Sequence, residues 1–312
     1  MYHPFFRGKQ FELLTIRETA GLMARSNFVP IIEPVRHGLS GLRRALEAVC
    51  EADGNAIVIV NPDCGDYAED GNEISEFLNE ISATRNISAG ILLTAKMSID
   101  DAVSYFNGHR AHNPTFIHAG FVDGRSLAQA LKTVPDSNRH VFLNEYCGRL
   151  YARHFAESNR VVVGDGFEKR KRNADHPPIE EFSDLHVTFK SDGMDGFGDF
   201  LIVGDDYSES GGPAYTVAIH LTFIDPDKDD VMYVYHFISE SNSTPTDPAG
   251  KFGQALARLI DMLDSGTSHL TETGAIREFR ELHARGHFPG LGYVKKLAMK
   301  HHIETLSEFL GR

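Results

Sequence analysis

The chain has 312 residues, 41% of them hydrophobic and 24% charged, with a formal net charge of −13. That apolar content excludes a disordered chain, and no apolar run approaches the roughly 20 residues a membrane-spanning helix needs. The acidic balance opposes a general role in coating nucleic acid, whose phosphates call for a basic surface.

Phe11 to Ala24 carries apolar residues at helical spacing and predicts a helix before the first strand, suited to plugging a barrel floor. A rhythm of short apolar runs and amphipathic stretches then begins. Phe28 to Glu33 predicts a strand and Leu39 to Ala52 a helix. Ala56 to Asn61 and Glu73 to Ala83 repeat the pair, and Ala89 to Ala95 is the third strand. Ser98 with Asp101 three residues on forms a short-carboxylate capping box. Thr115 to His118, His140 to Asn144 and Arg160 to Asp165 complete six strands, with helices over Ser126 to Thr133 and Gly148 to Ala156. These strands are continuously apolar, as expected when both faces of a parallel sheet are covered by helices.

After Asp165 the rhythm breaks. Phe200 to Asp205 predicts a seventh strand, and Glu209 to Pro213 a glycine-rich turn. Tyr215 to Ile224 and Met232 to Ser239 flank the charged turn Asp225 to Asp230 and predict an antiparallel hairpin. Helices are expected over Gly250 to Leu263, Glu272 to Arg285, Leu291 to Met299 and Ile303 to Leu310.

A doubly wound sheet would want a glycine-rich phosphate loop after its first strand, and Glu33-Pro34-Val35-Arg36-His37-Gly38 offers none. The expected fold is therefore α/β, a (βα)8-like barrel with an antiparallel hairpin addition and C-terminal helices. Residues 1–265 form the barrel domain, including the leading helix and the hairpin 214–240. Residues 266–312 form a helical extension packed on it. Met1 to Lys9 lacks an apolar stretch with a small-residue cleavage site, so export by the common route is not expected. Cys50, Cys64 and Cys147 are sparse and odd in number, as in a reducing cytoplasm.

In such barrels ligands meet the carboxyl ends of the strands. Those ends supply Glu33, Asn61, Lys96, His118, Asn144 with Glu145, Asp165, and Asp205 with Asp206. Asn and Asp are common in turns, which sets Glu33, Lys96, His118 and Glu145 apart. The candidate catalytic residues are Glu33, His118, Glu145 and Asp165, with a glutamate as general base and His118 as acid partner. Arg36, Asn61, Lys96 and Asn144 are candidate substrate contacts. So are Lys169 and Arg172 in the basic run Glu168 to Arg172, placed to act as a lid that clamps phosphate or carboxylate. A divalent cation held by Glu33, Glu145, Asp165 and Asp205 is a candidate cofactor, since hard cations take oxygen ligands. No Cys/His set has zinc spacing, and Asp175-His176-Pro177 alone matches no metal signature. No nucleotide-binding loop or Gly-x-Ser-x-Gly elbow is present. Lys295, Lys296, Lys300 and His301 read as a solvated basic face.

Met1 to Glu12, followed by Val29 to Val35, resembles the opening of the phage-type "beta family" proteins, and more closely an uncharacterised bacterial family related to them. Arg172 to Asp175, Gly198 to Asp205, Gly211 to Tyr215 and His287 to Tyr293 carry the same likeness along the chain. The resemblance implies a bacterial origin, a companion protein encoded nearby and a phage-defence or mobile-element setting, and brings no activity with it. It adds Arg7, Lys9 and Glu12 as candidates for closing the barrel or contacting a ligand.

Two functions compete. One is an enzyme of hydrolase or lyase type acting on a small anionic, phosphate-bearing substrate at the rim. The other is a non-catalytic ligand sensor or partner-binding scaffold, with oligomerisation through the hairpin. Nucleic-acid processing through the basic run and a carboxylate-bound metal is a third, less favoured by the overall charge.

Overall fold

The computed structural model describes residues 1–81, 86–131, 139–209, 212–240 and 243–312. In chain order the elements are β1 (Tyr2–Phe6), α1 (Gln10–Arg25), β2 (Ile31–Ile32), α2 (Ser40–Glu51), β3 (Ala56–Ile59), α3 (Asn72–Glu80), β4 (Ile87–Thr94), α4 (Ile99–Gly108), β5 (Thr115–Ala119), α5 (Gly124–Leu131) and β6 (Arg139–Leu143). They continue with α6 (Arg149–Ala152), β7 (Asn159–Gly164), β8 (Ile179–Ser183), α7 (Leu185–Thr188), β9 (Gly196–Asp199), β10 (Ala218–Asp225), β11 (Val231–Ile238), α8 (Pro248–Asp264), α9 (Gly274–Arg285) and α10 (Leu291–Leu310). No helix among the described residues is long and apolar enough to cross a membrane.

Two compact units each draw on two segments of chain. The first comprises Met1–Asp165 and Thr188–Phe200, the second Gly166–Val187 and Leu201–Arg312. The hairpin, expected as an addition to a barrel domain ending at 265, thus groups with the C-terminal helices.

The first unit is a closed barrel of eight parallel strands in the order β1-β2-β3-β4-β5-β6-β7-β9, with β9 pairing back onto β1. Its interior is filled by one parity of each strand: Phe5, Ile31, Ile57, Ile59, Leu92, Ile117, Val141, Leu143, Val161 and Val163, with Val29 and Phe200. The opposite parity, including Ile91, Leu93, Phe116 and Phe142, packs outward against Phe106, Leu127 and Phe155. Removing one such buried side chain typically costs about 2–5 kcal/mol, from lost burial and the cavity left behind. Ser98 begins α4 as expected: its Oγ accepts from Asp101 N at 3.1 Å while Ser98 N donates to Asp101 Oδ2 at 3.3 Å.

Two strands depart from the expectation. The helix over residues 10–25 is not a plug ahead of the barrel, because Tyr2–Phe6 is itself a strand and α1 is its first crossover. Pro4, which argues against a central strand, sits where pairing with β9 ends, at Pro4↔Asp199. The closing strand is Gly196–Asp199 and not Phe200–Asp205, whose residues 201–203 form a turn. Glycines are needed in β9 because a Cβ at Gly198 would lie 2.1 Å from the His3 carbonyl oxygen.

The second unit holds a three-stranded antiparallel sheet, ordered β10-β11-β8, with α8, α9 and α10. The expected hairpin is present, its register running from Ala218↔Ile238 to Asp225↔Val231. The final two expected helices are one, α10. His301 and His302, between the two expected ranges, are buried within it. His301 pairs with Thr273 Oγ1 at 2.8 Å and the Thr222 carbonyl at 2.8 Å, and His302 with Thr222 Oγ1 at 2.9 Å. Lys296 is likewise buried, its amine 3.8 Å from the Tyr293 ring centroid, so of the expected solvated basic face Lys296 and His301 are interior, while Lys295 is exposed and Lys300 half-buried. The expected helix ends at Ala83 and Thr133, and residues 210–211 of the glycine-rich turn, lie outside the described residues.

Candidate functional site

The chain turns sharply after β1, and Arg7, Gly8 and Lys9 make that turn. Gly8 has φ +63°, and a Cβ there would lie 2.9 Å from the Glu33 carbonyl oxygen, so the position requires glycine. Close approach brings Arg7 onto Glu33, which follows β2 and is 1% exposed. Their side chains form an ion pair at the carboxyl ends of the two strands. The Arg7 guanidinium lies 5.2 Å from the Phe5 ring and 5.5 Å from the Phe200 ring. Glu33 Oε1 also accepts from Asp63 N at 3.1 Å and lies 3.5 Å from Cys64 Sγ. Burial, then the charge of Glu33, pushes the Cys64 thiol up to about 12, which removes it as a nucleophile at neutral pH.

The other expected rim residues divide by strand parity and exposure. His118 does not reach the rim. Ile117 and Ala119 take the interior, so His118 faces outward, fully buried. There it pairs with Tyr151 Oη at 2.7 Å and His140 Nδ1 at 2.9 Å. Burial and the neighbouring His140 keep it well below the usual imidazole range, so it is a packed neutral ring and not an acid catalyst. Glu145 and Asn144 are exposed, and Asp165 is half-buried beyond β7. Asn61 extends the sheet, donating to the Leu92 carbonyl at 2.9 Å and accepting from Leu92 N at 2.8 Å. Lys96 forms an exposed pair with Asp63 at 3.6 Å. The four residues expected to share a catalytic pocket therefore do not share one. Nor do the carboxylates gather as a cation site: among the described residues, the metal-competent cluster consists of histidines.

What the first unit does offer beside the Arg7–Glu33 pair is a cleft of about 460 Å³, where α1 and α2 begin. Its walls come from Gly8, Gln10, Leu13, Leu14 and Arg17 after β1, and from Pro34, Arg36 and Gly38 to Leu42 with Arg44 after β2. Three of these residues are arginines and none is acidic. Arg36 pairs with Asp66, outside the lining, at 3.6 Å. Neither helix start is capped by a side chain, and first-turn N–H groups carry the positive end of the helix dipole. Lys9, a half-buried residue at the α1 cap position, stands next to this lining without joining it.

The basic run expected as a lid belongs to the second unit, where Lys169, Arg170 and Arg172 are engaged. Lys169 Nζ meets Asp206 at 2.9 Å, and Arg172 grips Asp175 through two bonds of 2.6 and 3.1 Å. Arg170 Nη2 donates to Glu180 Oε2 at 2.6 Å. Glu180, on β8, stands behind three histidines that sequence spacing did not connect. His220 and His236 face each other across the β10–β11 pairing, with their Nδ1 atoms 2.6 Å apart. His176, just ahead of β8, stacks on His236 at 4.4 Å between ring centroids. Glu180 Oε1 lies 3.3 Å from His176 Nδ1 and 2.9 Å from His236 Nε2, the latter without the alignment of a hydrogen bond. One nitrogen of each ring lies within 4.8 Å of the others. Burial, then the neighbouring His176, holds His236 down to about 4, and His176 and His220 are lowered too, all mainly by burial.

Comparison with protein-family models, curated proteins and solved structures finds no match to this chain.

Proposed function

We propose that the barrel unit binds a small anion of phosphate or carboxylate type in the cleft where α1 and α2 begin, as a ligand-binding or sensing module. The observation that carries this reading is a lining with Arg17, Arg36 and Arg44 and no carboxylate. In a chain of net charge −13, a local cluster of guanidinium groups in a concave wall focuses potential on an anion. Guanidinium forks match the oxygen pairs of phosphate and carboxylate, and the two helix starts add backbone donors. The volume suits a metabolite and not a macromolecule. Binding is favoured over catalysis because Glu33 is held by Arg7, His118 is packed in the outer layer and Glu145 stands in solvent.

The test is thermal melting of the full chain with orthophosphate, pyrophosphate or citrate, against chloride at matched ionic strength. At a hundred times the dissociation constant, binding to the native state alone stabilises it by about 2.7 kcal/mol, so the melting temperature should rise by several degrees. Melting indifferent to all three anions would overturn the reading.

A further inference from the structure

The second unit carries a feature that the anion cleft does not use. We infer that His176, His220 and His236 form a site for a late first-row divalent ion, Zn2+ under ordinary availability, with Glu180 as the carboxylate that orients the His176 and His236 rings.

The donor set fixes the class of ion. Imidazole nitrogens suit Zn2+, Cu2+, Ni2+ and Fe2+, whereas Mg2+ and Ca2+ want oxygens. The position of the carboxylate assigns the nitrogens. Glu180 Oε1 faces His176 Nδ1 and His236 Nε2. This leaves His176 Nε2 and His236 Nδ1 for the ion, beside His220 Nδ1, which already points at His236 Nδ1. A carboxylate on the far nitrogen of a ligating histidine is the usual outer support of such a site, fixing tautomer and ring orientation. Arg170 in turn anchors that carboxylate through its other oxygen.

The fit needs one adjustment. With Zn–N bonds of about 2.0–2.1 Å, two tetrahedral ligand atoms stand about 3.3 Å apart, so the 2.6 Å contact between His220 and His236 must open by roughly 0.7 Å. The two rings sit directly opposite on paired strands, where small rotations about the side-chain bonds supply that change without moving the sheet. Phe167 borders all three rings at 5.0 to 6.3 Å, which shields the ligands on that side. Three protein ligands leave one tetrahedral position for water or an anion, the count found in catalytic and not in structural zinc sites.

The test uses the full chain, stripped with chelator and then titrated with Zn2+ against a chromophoric competitor, with Co2+ as a spectroscopic probe. One Zn2+ per chain is expected, and Co2+ should give the intense visible bands of a tetrahedral nitrogen site. His220→Asn, at a partly exposed position, should abolish that stoichiometric ion while circular dichroism stays unchanged. Glu180→Gln should weaken binding about 10–100-fold. His236→Asn is the second ligand variant, and the Co2+ spectrum of the unaltered chain needs no variant to fold. No stoichiometric Zn2+, weak octahedral-type Co2+ bands, or uptake that survives His220→Asn would each overturn the assignment. None of these outcomes bears on the anion cleft.

Discussion

At the strand ends of the barrel unit the ionisable groups close on one another, Arg7 on Glu33 and Lys96 on Asp63, while a separate cleft keeps arginines together without an acid in its wall. In the second unit the arrangement is reversed. Three imidazoles are gathered together, two of them against one carboxylate, and the arginine nearby serves that carboxylate. The one arrangement suits an anion and the other a cation. Donors of one kind gathered in one wall mark a ligand's place better than the presence of titratable residues does.

If the Arg7–Glu33 pair is the compensated charge this contrast supposes, breaking it should be the most costly single change in the barrel rim. Glu33→Ala leaves the half-buried Arg7 guanidinium beside Phe5 and Phe200 without that carboxylate. A loss of about 3–5 kcal/mol is expected in urea unfolding. A loss under about 1 kcal/mol would mean the pair is solvated and the contrast false.

Acid should weaken the barrel through buried rings that, unlike His236, have no carboxylate behind them. His3 and His140 are held down to about 3, chiefly by burial. Above about pH 6.5 both states are neutral. As pH falls below 6.5 the unfolded state takes up protons that the folded state refuses until about pH 3, so stability falls with pH across that window. The expected loss is about 2 kcal/mol per ring between pH 7 and pH 5. Denaturant unfolding at the two pH values checks it, and an unchanged midpoint would refute it.

The smallest effect tests the regular part of the barrel. Ser98→Ala removes the exposed cap of α4 and should cost about 1 kcal/mol by the same unfolding assay. A neutral result would show that α4 is held by its buried face, Ala102 and Phe106, alone.

Legibility followed the range of the interactions. Continuous runs such as Ala56 to Val60, and the Ser98–Asp101 box, are local signals, and they located β3 and the start of α4. β1 and β9 were masked by Pro4 and by Gly196 with Gly198, residues that weigh against strands until the neighbouring backbone is known. Strand ends were found, but not side-chain direction. With apolar residues on both faces of Thr115 to Ala119, nothing in the sequence told that His118 points outward. Of the cleft arginines only Arg36 was singled out, since Arg17 and Arg44 lie on helices that read as ordinary amphipathic surfaces. The histidine cluster joins His220 to His236 through cross-strand register and brings His176 onto His236 from the segment ahead of β8, which no spacing rule reports.

The central claim is the anion cleft, and isothermal titration of pyrophosphate into the full chain tests it most directly. Binding of one anion is expected, weakened about tenfold or more by Arg36→Ala and again by Arg44→Ala, as charge-assisted hydrogen bonds of about 1.5–3 kcal/mol are removed. Arg172→Ala, whose guanidinium is engaged by Asp175 in the other unit, should leave it unchanged. Equal affinity in the unaltered chain and the Arg36→Ala, Arg44→Ala double variant would contradict the account.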